Sequence, residues 1–375
     1  MRAGARAQTV GSGTAPSAVT ASAALSRPRT KSGFIIGPVA DSVFIIGAPL
    51  VAVLIAGPSY WLPKDMFSTK IQGATVDLRN AFILSFVAAH LVLVFFRSHG
   101  NANIFWTHPI RFTVVPLALL VAAASSRWIL ACAGVVAVWW DVYHSSLQTF
   151  GFGRIYDSKQ GNSPDAGRKL DIGINLFLYL GPVLAGAQFA KHITKSTDSF
   201  AFLQTTENPW RDLILQQAPT FLNGNQRYLT IAVLSLGLPF LCYYLLSYYR
   251  LYRQGYHVSW QKVSLLIITG CVSTYFWGFR SFIDAFWVMN FFHAWQYFAI
   301  VFFAEGKNLA RLFRVDRFPV GTALVMVWVV ALTFMYGYWS IIYAHRSWFG
   351  SAVITVSIMH FWYDSFIWSV RRKQV

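Results

Sequence analysis

The chain has 375 residues, 55% hydrophobic and only 12% charged, with a mean hydropathy of +0.47. A soluble domain carries roughly 25% charged residues, so this composition excludes an ordinary soluble enzyme, and its long continuous apolar runs exclude a β-barrel. The net charge of +17 does not point to nucleic acid, because the positives sit between apolar runs, where topology and anionic headgroups account for them.

Residues 1–32 are rich in Ala, Ser, Thr, Gly and Arg and contain no Asp or Glu, which predicts a disordered cytoplasmic tail. A single transmembrane domain, 33–375, follows. Its fold class is all-α: a polytopic helical bundle of about ten spans, near 34–56, 81–97, 112–125, 128–150, 172–190, 228–249, 263–279, 282–304, 319–343 and 349–369. The stretch at about 191–227 is expected to be an irregular extramembrane loop. With ten spans and both termini cytoplasmic, 21 of the 31 basic residues fall in cytoplasmic segments and 10 in outer ones. This bias and the short loops fit a multi-pass protein of the bacterial inner membrane. Cys132, Cys242 and Cys271 lie in apolar segments without a CxxC pair, which argues against disulfides and iron–sulfur clusters.

Ionisable groups inside a membrane cost roughly 2.5–3.5 kcal/mol each on insertion scales, so those present are functional candidates. The second span carries His90. The fourth carries Asp141, His144 and Gln148 within WWDVYHSSLQTFGFG. The eighth carries Asn290, His293 and Gln296 within VMNFFHAWQYF, and the last carries His360 and Asp364 within MHFWYDSF. Helical spacing puts each set on one face. All four spans run the same way, so the four histidines are expected at similar depth. Neutral imidazole is the commonest metal ligand and a carboxylate completes the sphere. The expected ligands are therefore His90, His144, His293, His360 and Asp364. Asp141 and Asp364 are the catalytic carboxylates in this reading, and Gln148, Asn290 and Gln296 orient the imidazoles from behind. His99 and His108, in the following loop, are further candidates. His192 and His257 are expected in loops, and Asp41 as the cap of the first helix. The loop 151–171 holds Arg154, Lys159, Arg168 and Lys169, which read first as a positive-inside loop and second as a headgroup site.

A histidine set of this kind resembles that of the membrane-integral oxygenases and desaturases, including the carotenoid-cleaving enzymes of bacteria, and implies iron held by intramembrane imidazoles. The HxxxH and HxxHH boxes of alkane hydroxylases and desaturases are absent. A second resemblance is to the seven-helix membrane hydrolases of the ceramidase and adipoQ-receptor kind, which hold zinc with three His and one Asp. Here the C-terminal pair is His360 and Asp364 where that group has two histidines.

The leading expectation is a membrane metalloenzyme, a non-haem iron oxidoreductase with one or two ions. Its substrate would be lipid-soluble, such as a fatty acyl chain, sterol, isoprenoid or carotenoid, entering from the bilayer lipids. An electron-transfer partner would act from the cytoplasmic side. The alternatives are a zinc-dependent lipid hydrolase using Asp141 or Asp364 as general base, and a proton-coupled transporter.

Overall fold

The computed structural model describes residues 32–57, 68–71, 74–198, 200, 209–343 and 347–368. The tail expected over 1–32 lies outside them apart from Ser32. Helix α1, Pro38–Asp41, runs through a π-turn and bends by 56° into α2, Ala48–Ala56. A short antiparallel hairpin of β1, Ser68–Ile71, and β2, Ala74–Asp77, leads into α3, Leu78–Ser98. There follow α4 (Ala102–Phe105), α5 (Pro109–Ser125), α6 (Arg127–Lys159), α7 (Arg168–Ala185), α8 (Phe189–Ser196) and α9 (Pro209–Asp212). A second π-turn joins α9 to α10 (Ala218–Arg253); then come α11 (Trp260–Phe279), α12 (Phe282–Leu312), α13 (Gly321–Tyr343) and α14 (Ser347–Ile367). Helix starts carry the expected chemistry: Asp77, Ser126, Ser259 and Ser281 each accept a backbone N–H of the first turn.

Each of the ten apolar runs is helical. Among the described residues, however, five helices are long and apolar enough to cross a membrane, or seven if each bent pair forms one span. The expected ten is not reached, and the reason lies in the residues that make the protein interesting. Helix α5 is short, while α6 and α14 exchange apolar positions for Asp141, His144, Gln148, His360 and Asp364. These helices face protein, so they tolerate the polar groups. The stretch expected as an irregular loop over 191–227 is also different. Its described part is largely helical, and a continuous helix runs over Trp210–Arg253. Pro209 falls in the first turn of α9, where a missing N–H costs nothing, and Pro219 follows directly after the π-turn.

Helix α3 packs against α12, α13 and α14, and α6 packs against α7, α11 and α14. Gly337 on α13 lets that helix approach α3 closely: a Cβ there would lie 2.2 Å from the Ser85 carbonyl oxygen of α3. At the end of the bundle where α3, α6, α12 and α14 finish, two buried charge clusters tie the helices. Arg97 pairs with Glu305 and donates to the Ile367 carbonyl at 3.1 Å, linking α3, α12 and α14. In the other cluster, Arg154 and Lys262 face Asp157 and Asp171 at 2.6–2.8 Å, joining α6, α7 and α11. Tyr248 of α10 donates to Asp171 at 2.6 Å. Two cations balance two carboxylates, which is the condition for burying any of them.

Candidate metal centre

Four helices bring one imidazole each to a common point. His90 comes from α3, His144 from α6, His293 from α12 and His360 from α14, and all four are buried. Their rings form a closed quadrilateral. Ring centres are 5.1 Å apart for His90 and His293, 4.8 Å for His293 and His144, 5.0 Å for His144 and His360, and 4.9 Å for His360 and His90. The His293–His360 diagonal is 6.1 Å. A metal–nitrogen bond of about 2.1 Å, with a ring centre about 1.1 Å further out, places each ring about 3.2 Å from an ion. Rings at right angles about that ion would be about 4.5 Å apart, tetrahedral neighbours about 5.2 Å and opposite rings about 6.4 Å. The observed spacings fall within these limits, so the quadrilateral has room for one ion.

The nitrogens are arranged accordingly. His90 Nδ1 lies against the Val87 carbonyl, so it carries the proton and leaves Nε2 with its lone pair. His90 Nε2, His144 Nε2 and both nitrogens of His293 and His360 are buried without a hydrogen-bond partner. Buried polar groups are nearly always satisfied, so six orphaned nitrogens in one place need an explanation. The donor atoms of His90, His293 and His360 lie within 4.8 Å of one another, and so do those of His144, His360 and Asp364. Asp364 Oδ2 is 3.6 Å from His144 Nε2 and 3.7 Å from His360 Nε2, too long for hydrogen bonds and suited to ligands sharing an ion. Its other oxygen, Oδ1, accepts from the Tyr297 hydroxyl and from Trp368 Nε1, each at 2.9 Å. Tyr297 and Trp368 therefore fix the carboxylate, in the way outer partners orient metal ligands. Neither residue was among the candidates read from the sequence. The signal was present in spacing, since Trp368 follows Asp364 by four and Tyr297 follows His293 by four.

The remaining candidates are placed elsewhere. Asp141 is buried beside Asn290 with its Oδ1 unpartnered, and neither residue belongs to the two ligand triads. Gln148 does not reach a ring: its amide donates to the His293 carbonyl at 3.1 Å and to Gln296 Oε1 at 2.9 Å. Gln296 in turn donates to the Ile45 carbonyl at 2.7 Å. These amides hold α6, α12 and the first bent helix in register behind the histidines. His99 has both nitrogens engaged, with Ser98 Oγ at 2.9 Å and the Phe112 carbonyl at 3.1 Å, and burial pushes its pKa down. His108 packs edge-on against Phe366. His192 is not a loop residue; it sits buried in α8 and donates to the Arg280 carbonyl at 3.2 Å. Asp41 caps no helix. Its carboxylate accepts the N–H groups of Ile35, Ile36 and Gly37 and the Tyr156 hydroxyl.

A cavity of about 470 Å³ reaches the cluster from one side. His144 and Asp364 lie in its wall, together with Trp140, Leu147, Phe361 and Ile300. Tyr143, Ser365 and Arg168, which also line it, are exposed. No protein-family profile, characterised protein or solved structure matches the chain.

Proposed function

We propose that this multi-pass membrane protein is a metalloenzyme holding one ion, iron in the first instance, between His90, His144, His293, His360 and Asp364. The observation that carries this reading is the set of six buried, partnerless imidazole nitrogens around one point. One cation would take one nitrogen from each of the four rings, and so accounts for four of the six. Four nitrogens and a carboxylate exceed the tetrahedral set of structural zinc and suit iron or manganese with a position left open. A single ion is the simpler reading: His360 belongs to both triads, His90–His293–His360 and His144–His360–Asp364, and among the described residues Asp364 is the one carboxylate in either. The cavity supports a lipid-soluble substrate, since its walls are largely apolar and it ends on His144 and Asp364. The oxidoreductase reading rests on a redox-capable ion; Asp141, whose buried Oδ1 has no hydrogen-bond partner, is the base that a hydrolase would use instead. The bacterial inner membrane and a cytoplasmic electron donor are part of the same proposal, supported by the distribution of basic residues.

The test is metal content by mass spectrometry on detergent-purified protein, wild type beside His360→Ala and His293→Ala. Stoichiometric iron in the wild type, lost in both variants, is the expected result. Zinc in its place would redirect the reading to hydrolysis. Folded wild type without metal, purified free of chelators, would overturn it.

A further inference from the structure

Arg168 is the unexplained residue of the cavity. It opens α7, is exposed, and lines the cavity with its guanidinium 5.8 Å from the centre of the Phe150 ring. Its neighbour Arg154 lines the same cavity but is spent on Asp157 and Asp171. Arg168 forms no salt bridge among the described residues. The cavity therefore has a free cation at its mouth and a buried, partnerless imidazole nitrogen, His144 Nε2, in its wall. Leu147, Phe150, Gly151 and Phe361 line the same cavity, whose surface is largely apolar, beside Gln148 and Tyr297.

We infer that the cavity binds a single-chain lipid with an anionic head, a carboxylate or a phosphate. The head pairs with Arg168 and the chain lies along α6 past His144. Three features select this ligand. A guanidinium at a membrane surface recognises carboxylate and phosphate in the same forked geometry. The volume of about 470 Å³ sits in the lower half of the usual 300–1,000 Å³ range for small-molecule sites, which suits one chain better than two. The exposed positions of Tyr143 and Ser365 give a lateral opening toward lipid. The geometry also sets which part of the ligand meets the metal centre. Phe150 is six residues from His144, about 9 Å along the helix axis. The atoms beside His144 thus belong to the chain, several carbons from the head. This inference rests on the proposed metal centre only for what happens at those carbons; the binding mode stands on the cavity itself.

The experiment measures binding of oleate, oleyl phosphate and oleyl alcohol to the purified full-length protein in detergent, before and after metal removal by chelation. Wild type is compared with Arg168→Gln and with Leu147→Trp, which fills the cavity. Oleate or oleyl phosphate should bind about tenfold more weakly to Arg168→Gln, the worth of one charge-assisted contact, with oleyl alcohol unchanged. Leu147→Trp should weaken all three. Preference between oleate and oleyl phosphate tells which anion the site takes. Equal anion affinity in wild type and Arg168→Gln would overturn the inference, as would an equal loss for the alcohol. Arg168-dependent binding that persists after chelation, in a protein that never carried stoichiometric metal, would uphold this site and sink the metal reading alone.

Discussion

Replacing His293 by Leu should abolish metal binding and yet stabilise the metal-free protein. His293 is fully buried, and neither ring nitrogen has a hydrogen-bond partner. Its surroundings are the rings of His90, His144, His360 and Tyr297, at 4.8 to 6.3 Å. Without an ion, that side chain keeps a polar donor and acceptor out of water for no return, a cost of about 1–3 kcal/mol. Leu has a similar size and no polar atom, so it removes the cost without opening a cavity. With metal present the order reverses. An ion at a thousand times its dissociation constant stabilises the wild type by about 4 kcal/mol, and the variant not at all. The assay is thermal unfolding in detergent, followed by tryptophan fluorescence, in chelator and in saturating ferrous iron. Under chelation the variant should melt above wild type; under iron, below it. A variant that melts below wild type in chelator would mean that His293 serves the fold, and the reasoning from orphaned nitrogens would fail.

Other outcomes follow from the same geometry. Tyr297→Phe removes one of two hydrogen bonds to Asp364 Oδ1 while keeping the ring, so metal affinity by chelator competition should fall about 10–100-fold with the fold intact. Asp141→Asn should leave metal content unchanged, because Asp141 lies outside the ligand triads; loss of metal would restore it as a ligand. Lys262→Met leaves Asp157 and Asp171 with Arg154 alone and should cost about 3–5 kcal/mol in unfolding experiments. Adding Asp157→Asn to that variant should recover part of the loss, since charge balance returns. Gly337→Ala pushes α13 off the Ser85 carbonyl, and His90 lies five residues further along α3, so both melting temperature and metal affinity should drop.

The histidine cluster was legible because two periodicities agree. Within each helix, spacing of three and four gathered the polar residues on one face. Across helices, an expectation of similar depth pointed to the meeting of His90, His144, His293 and His360 that the ring distances show. Side-chain pairing was not legible. Asp141 and His144 share a face of α6, yet Asp141 turns to Asn290 while His144 meets the other rings. Gln148 and Gln296 sit where ring partners were expected, but an amide can reach a neighbouring helix backbone as easily as an imidazole, and here it does. The span count differs for a related reason. Hydropathy scores a helix as if lipid surrounded it, whereas α6 and α14 bury their polar faces against one another and against α3 and α12.

The most direct measurement is X-ray absorption at the edge of the metal that co-purifies with the wild-type protein. One ion among four imidazoles and one carboxylate predicts a single shell of nitrogen and oxygen near 2.1 Å with strong imidazole multiple scattering. It also predicts no metal–metal feature near the roughly 3.5–4 Å of a two-metal site. Scattering from fewer than three imidazoles, or a metal–metal distance in that range, would contradict the site as built from His90, His144, His293, His360 and Asp364.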